Sequence, residues 1–465
     1  MTTKRIERET SVIRAPSDGS EVGVCNLANP EDVRAALDAN MRVSDAARRM
    51  PSHERARALR RIADGIAGAR AELARTLALE AGKSINQARL EIDRTIDVFR
   101  DGAEEATRIT GEVLTADGVP AGNGKIAITR RFPLSPVAAI TPFNYPLLLA
   151  AHKVAPAMAC GATVTLKPPP QDPLSTLRMF DLIKYSGYPE GAVNVVPCHV
   201  EVAQILIEDP RVRMISFTGS AKAGWAIRAK AGSKRVALEL GGNAAVIVEG
   251  DADLELAATR CAAGGFSYSG QSCISTQRIF VHQSAFKQFL DLMLPKVKAL
   301  KVGDVLDEAT EIGPVISLEA AERVEKWITE AKAQGATVAI GGGRKGTYLE
   351  PTVLLDTTPT MKVNCEEVFA PLVTVTSYTD LSKAIAQVNS SPYGLQAGVF
   401  TSNLKTMFRC YAELEVGAVN GNDIPGFRID RLPYGGAKES GLGREGVRWA
   451  IQEMTELRML TLKVE

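Results

Sequence analysis

Cys273 lies in the run Phe266-Ser267-Tyr268-Ser269-Gly270-Gln271-Ser272-Cys273-Ile274-Ser275. Small and polar neighbours leave its backbone N–H groups open to a ligand, a setting that suits a nucleophile better than a packed core. The structural reading of a cysteine fits Cys160 and Cys261 better, because both lie in Ala-rich stretches. A thiolate that adds to a carbonyl carbon leaves an alkoxide. Such chemistry needs an oxyanion donor and, if the product is released by water, a base. Asn144, in Thr141-Pro142-Phe143-Asn144-Tyr145-Pro146, offers an amide N–H₂ that stabilises an alkoxide without competing as an acid; it also reads as a turn residue before proline. Glu239 stands between Leu238 and Leu240, just before Gly241 and Gly242. A carboxylate among apolar neighbours has a raised pKa, as a base working near neutrality requires; the alternative is a structural Glu that binds backbone at the Gly-Gly turn.

These residues must be positioned by larger elements. Residues 29–110 read as helices, opened by Asn29-Pro30-Glu31-Asp32, a capping side chain followed by Pro and acids. In the second helix Leu59, Ile62, Ala63 and Ile66 share one face, with arginines opposite on a solvated one. From residue 137 short β-prone runs alternate with helical segments up to Val236–Leu240, and a second such series runs from Ala244 to about 433. Alternation of this kind implies parallel sheets covered on both faces, and the two layers meet near Glu239–Asn243 in a cleft where ligands bind. Phe217–Gly224 follows a strand and opens a helix; its G-x-x-x-x-G spacing marks a diphosphate site at a helix N-terminus or a plain turn. Lys125–Arg131 and Leu457–Val464 read as exposed strands, which invite pairing with another chain.

The chain has 465 residues, enough for two or three domains. With 55 basic and 54 acidic residues its net charge is +1, which points to neither nucleic acid nor an anionic membrane as partner. Seven cysteines without a C-x-x-C pair, and four scattered histidines, give no metal site and suit reduced thiols in the cytoplasm. Met1–Thr10 is polar and has no signal-peptide core, and no apolar run is long enough to span a membrane.

Taken with Leu238–Asn243 and Glu366-Glu367-Val368-Phe369-Ala370-Pro371, the Asn144 and Cys273 segments resemble the aldehyde dehydrogenase superfamily, in that family's order, from about residue 30 onward. The resemblance implies an α/β fold: two parallel-sheet α/β domains, a Rossmann-like cofactor domain and a catalytic domain, plus a β-arm oligomerisation element. The expected NAD(P)-binding domain comprises 1–113 and 137–240, and the catalytic domain 241–433. Residues 114–136 and 434–465 form the arm and C-terminal segment. By the same resemblance Cys273 is the nucleophile, Asn144 with the Cys273 N–H the oxyanion site, Glu239 the base, and Lys153 a support for the amide and the carboxylate. Glu239 favours water over coenzyme A as acyl acceptor. A coenzyme A-acylating dehydrogenase, a thiol hydrolase without a nicotinamide and an inactive structural relative are the competing readings.

The resemblance also implies a cofactor site of Thr141, Pro142, Phe143, Lys167, Gly219, Ser220, Leu240, Gly241, Glu367 and Phe369. Lys167 would reach the adenosine ribose and Glu367 the nicotinamide ribose. Pro170 stands where NAD-preferring members carry a Glu, so NAD or NADP is expected. The substrate tunnel maps to Tyr145, Leu148, Leu149, His152, Ser272, Ile274 and residues 423–431, including Arg428 and Arg431. Polar His152 and Ser272 and the two arginines suggest a small hydrophilic aldehyde, of the hydroxyaldehyde or semialdehyde-acid type. Ser272, replacing an Arg found in members that use phosphorylated substrates, counts against a phosphate. Pro433–Glu445 closes the family pattern; its glycines read as a structural loop without a catalytic part. A homodimer or homotetramer is implied.

Overall fold

The computed structural model describes residues 9–464. The readings placed on Met1–Arg8, including the polar N-terminus and the start of the first domain, lie outside the described residues. Two larger sheets organise the fold. The first has the strand order Gly441–Leu442, Arg235–Glu239, Met214–Thr218, Val137–Ile140, Val164–Lys167 and Val193–Val195, parallel except for the short edge strand Gly441–Leu442. The second has seven strands: Thr337–Ile340, Thr352–Leu355, Leu372–Tyr378, Arg278–His282, Ala245–Val248, Gln396–Phe400 and Ala418–Gly421. Here too one edge strand, Thr337–Ile340, runs antiparallel. Every residue of Val137–Ile140, Val164–Lys167 and Ala245–Val248 is buried, as a parallel strand covered on both faces requires. The α/β class with two mainly parallel sheets is therefore as the sequence implies.

The helical region begins at Pro30, where Asn29 and Asp32 form a capping box. In Ser52–Gly68 the predicted stripe Leu59, Ile62, Ala63 and Ile66 is fully buried. The sequence gives no warning of the antiparallel hairpin Thr10–Arg14 with Glu21–Asn26 that precedes these helices.

Lys125–Pro133 and Thr455–Lys463, both expected as exposed strands, pair with each other antiparallel over their whole length. The arm leaves Leu457, Met459, Leu460 and Leu462 exposed. Of the remaining C-terminal segment, Gly441–Leu442 edges the first sheet and Val447–Glu453 sends Val447 and Ile451 into the core beneath helix Pro146–Cys160.

Candidate active site

Strand Val137–Ile140 ends in the turn 141–145, and Pro146 opens the buried helix Pro146–Cys160. Asn144 therefore sits at a strand-to-helix turn, 4% exposed. Its Nδ2 donates to the Gln271 carbonyl at 3.0 Å, which fixes the amide against the loop that carries Cys273. Below the turn, the fully buried Lys83 donates to the Asn144 carbonyl at 2.7 Å and pairs with Glu91. Glu91 accepts the N–H groups of Leu147 and Leu148 at 3.0 and 3.1 Å, the first unpaired donors of the helix.

The loop before Cys273 holds Tyr268, Ser269 and Gly270 in succession at φ +47°, +54° and +69°. Two non-glycine residues in the left-handed region carry strain that neighbouring contacts must over-determine. Tyr268 donates to the Ala81 carbonyl at 2.9 Å and Ser269 to that of Gly313 at 2.8 Å. Gly270 is needed, since a Cβ there would meet the Ala370 oxygen at 2.1 Å. The Cys273 sulfur is half-buried and 3.0 Å from the Tyr434 hydroxyl. Burial pushes its thiol up to about 12, with Glu367 and Glu239 adding to the rise, against the Tyr434 hydrogen bond and the Arg428 charge.

Glu239 ends its strand, 5% exposed, and its Oε2 has no protein partner. Burial raises its pKa well above the carboxylate range and the nearby Glu445 raises it further, with Arg428, Lys153 and Arg444 opposing. Glu445 behaves oppositely: burial is outweighed by Lys153, His152 and Arg428, and its carboxyl is held at about 2. Two neighbouring carboxyls whose pKa values are driven apart can divide proton-holding and charge-holding roles.

Cys273, Asn144 and Glu239 line one cavity of about 250 Å³, together with Tyr145, Leu148, Leu149, Ser272, Ile274 and Arg428. Three expectations need correction. Lys153 donates to Glu445 at 3.0 Å and Ser216 at 3.1 Å; it bonds neither Asn144 nor Glu239, and reaches the latter only as a charge. His152 is buried behind the wall, where its Nε2 meets Asp430 at 3.0 Å and Arg428 at 3.1 Å. Arg431 points away, largely exposed, and pairs with Asp101 and Glu104.

The sequence reading also missed three wall residues: Arg94, Tyr434 and Glu445. Arg94 forms a bidentate pair with Asp430, 2.8 Å for both bonds. Arg428 lies 3.7 Å above the Tyr434 ring centre and pairs with Asp430 at 3.2 Å and Glu445 at 3.5 Å. Tyr434 and Glu445 exchange both backbone hydrogen bonds, so the loop read as merely structural delivers two side chains to the cavity. Ionisable groups at both ends of that Gly-rich stretch were the available signal.

A second cavity of about 520 Å³ adjoins the first and shares Pro142, Phe143, Thr218, Gly219 and Ser220 with it. Thr141, Lys167 and Pro170 line it, while Leu240, Gly241, Glu367 and Phe369 line the first cavity. Ser220 caps helix Ala221–Lys230, whose N-terminus faces this space. Glu367 accepts the Gly242 N–H at 2.8 Å and is pushed by burial up to about 7. A Cβ at Gly241 would lie 2.4 Å from the Glu367 carboxylate, and the hydroxyls of Thr141 and Thr218 are buried without a protein partner. A long groove with a capped helix N-terminus, Lys167 and unclaimed hydroxyls fits a dinucleotide. Among the described residues no cluster of His, Cys, Asp and Glu is placed to hold a metal. No helix is long and apolar enough to cross a membrane.

A sequence model described as the aldehyde dehydrogenase family matches residues 3–460. The chain is 42% identical over 441 residues to 3-sulfolactaldehyde dehydrogenase of Priestia aryabhattai, covering 94% of this chain and 92% of that protein. Among solved structures it is similar to aldehyde dehydrogenase 21 from Physcomitrella patens in complex with the reaction product succinate. That match has TM-score 0.96 and 38% identity, over 99% of this chain and 96% of the other. It is also similar to glyceraldehyde-3-phosphate dehydrogenase from Methanocaldococcus jannaschii complexed with NADP, with TM-score 0.94 and 36% identity, over 98% and 100% of the two chains.

Proposed function

The chain belongs to the aldehyde dehydrogenase family and is an NAD(P)-dependent oxidoreductase acting on aldehydes; from that premise we propose that Cys273, Asn144 and Glu239 carry the reaction, on a small aldehyde with an anionic tail. The observation that carries this reading is their convergence on one cavity that Arg94 and Arg428 also line.

Cys273 adds to the aldehyde carbon, and the developing oxyanion is taken by the Asn144 amide and the Cys273 N–H. Thr141, Lys167, Gly219 and Ser220 would hold NAD(P)⁺ in the adjoining groove, where it would supply the hydride acceptor that the oxidation needs. Glu239 then takes a proton from water, which attacks the thioester on Cys273 and releases the acid. Lys153 and Arg428 stabilise Glu445 as an anion, and that anion keeps the Glu239 carboxyl from ionising early. Glu239 on the cavity wall supports water, not coenzyme A, as the acceptor.

Arg94 and Arg428 suit a carboxylate or sulfonate. This agrees with relatives named for 3-sulfolactaldehyde and with succinate in a similar structure. Ser272 supplies no cation for a phosphate. Lys167 beside Pro170, with no acid in between, supports NADP along with NAD. For the domains we keep 1–113 with 137–240 as the cofactor unit and 241–433 as the catalytic one. The exposed apolar row on the arm supports a homo-oligomer, and the unpaired cysteines support a reducing, cytoplasmic setting.

The test is reduced-cofactor absorbance at 340 nm with NAD⁺ and NADP⁺, using succinic semialdehyde, lactaldehyde, 3-sulfolactaldehyde and propanal. Cys273-dependent reduction without coenzyme A, fastest with the anionic aldehydes, is the expected result. Equal rates with propanal would sink the anionic-tail reading, and activity in Cys273→Ala would sink the mechanism.

A further inference from the structure

The hydroxyl of Tyr434 lies 3.0 Å from the Cys273 sulfur, and among the described residues that sulfur has no other hydrogen-bond partner. Both residues pack in one small apolar cluster with Ile274 and Leu395. The groups facing the sulfur come from several elements. Glu239 ends a strand of the first sheet and Glu367 stands in the loop beside Gly242. Arg428 comes from the loop before Tyr434, and Tyr145 from the start of the Pro146 helix. The two carboxylates oppose ionisation of the thiol, and burial opposes it more. Arg428 is the nearby cation; it hydrogen-bonds His152, pairs with Asp430 and Glu445 and lies on the Tyr434 ring, 3.7 Å from its centre. Its charge therefore reaches the sulfur alongside a phenol that makes the direct contact.

We propose that Tyr434 is a further catalytic residue, its hydroxyl donating to the Cys273 sulfur and stabilising the thiolate that attacks the aldehyde. The inference rests on the reading of Cys273 as nucleophile. Burial raises the phenol's own pKa well above its usual value, so the hydroxyl keeps its proton and acts as the donor. When the sulfur loses its proton the bond becomes charge-assisted, with an anionic acceptor, and strengthens. Once the carbon–sulfur bond has formed the sulfur is a weak acceptor, and the hydroxyl is released toward the substrate. The bond is thus strongest in the state that precedes attack. A phenylalanine at this position would fill the same apolar cluster and leave the thiolate with no side-chain donor. The aromatic ring serves packing and the single oxygen serves the nucleophile.

The experiment uses the full-length protein and Tyr434→Phe, which removes that oxygen alone. Iodoacetamide alkylation of the Cys273 peptide is followed by mass spectrometry across pH, with the thiol proton lost to buffer. First-turnover formation of reduced cofactor is measured in parallel. The expected result is an alkylation midpoint about one unit or more higher in Tyr434→Phe. First-turnover reduction then slows roughly tenfold or more at fixed pH, with an unchanged melting temperature. An alkylation curve that superimposes on wild type, with Cys273→Ala inactive, overturns the Tyr434 role alone. Aldehyde oxidation that survives in Cys273→Ala overturns the nucleophile reading and the Tyr434 role together. Tyr434→Met, which also lacks the hydroxyl, gives the same comparison if the Phe variant does not accumulate.

Discussion

Lys83 donates to the main-chain carbonyl of Asn144 at 2.7 Å from a position with no solvent exposure. Glu91, its ion-pair partner, grips the two residues that follow Pro146, so one buried pair holds both sides of the oxyanion turn. Tyr145 and Tyr268 place their rings 4.4 and 4.2 Å from the Lys83 ammonium, joining this turn to the loop before Cys273. The position of the Asn144 amide is thus set from beneath.

Lys83→Met strands the Glu91 charge in the core. Breaking a buried pair in this way costs about 3–5 kcal/mol, and a displaced oxyanion donor costs roughly 10²–10³ in rate. A lower urea midpoint should accompany a fall in kcat, measured at 340 nm, while dinucleotide affinity by fluorescence titration stays near wild type.

Glu239→Gln should separate the two halves of the reaction. Acylation proceeds and reduced cofactor appears as a burst of one equivalent per Cys273; turnover then stalls because water has no base. In the wild type, deacylation should rise with pH through the raised pKa of Glu239, since only its ionised form accepts a proton. Stopped-flow traces across pH check both, and a wild-type steady-state rate in the variant contradicts the assignment.

Pro170→Glu should shift cofactor choice toward NAD. A carboxylate beside Lys167 can accept from a free ribose hydroxyl and repels a 2′-phosphate, an effect of about tenfold or more on the ratio of kcat/KM values. Parallel initial rates with NAD⁺ and NADP⁺ read it directly.

Glu80 gives a stability prediction. Burial raises its carboxyl from 4.5 to about 7. The folded state then keeps a proton that the unfolded chain has released, so stability is full below 4.5 and falls as pH rises to about 7, beyond which this contribution is flat. The loss amounts to about 3 kcal/mol. Denaturant unfolding of wild type and Glu80→Gln between pH 4.5 and 8 should show the downward slope weakened in the variant.

Cys273, Asn144 and Glu239 were picked out by the resemblance of four separated segments to one family; small neighbours, a turn and flanking leucines alone left structural readings open. The alternating strands were legible locally, since burial on both faces leaves an unbroken apolar run. Arg94, Tyr434 and Glu445 were not legible, because their meaning lies in partners far along the chain, as with Lys153 and Glu445, 292 positions apart. His152 failed as a wall residue through helix geometry. It lies one turn beyond Leu148, about 6 Å further along the axis, where Asp430 and Arg428 cover it. Arg431 failed because the loop turns between it and Arg428, toward Asp101. The arm strands announced themselves by alternation, but a strand's pattern does not name its partner.

The return of the C-terminal segment across the molecule also sets an order of assembly. Arg131 meets Thr455 across 324 positions, and Cys273 meets Tyr434 across 161. On the ribosome the thiol emerges well before the phenol that contacts it, and Lys153 emerges long before its carboxylate. A growing chain can therefore close its first parallel strands while its sulfur is still without that hydroxyl. The side chains that the C-terminal segment turns toward the sulfur are therefore the last part of the site to be synthesised.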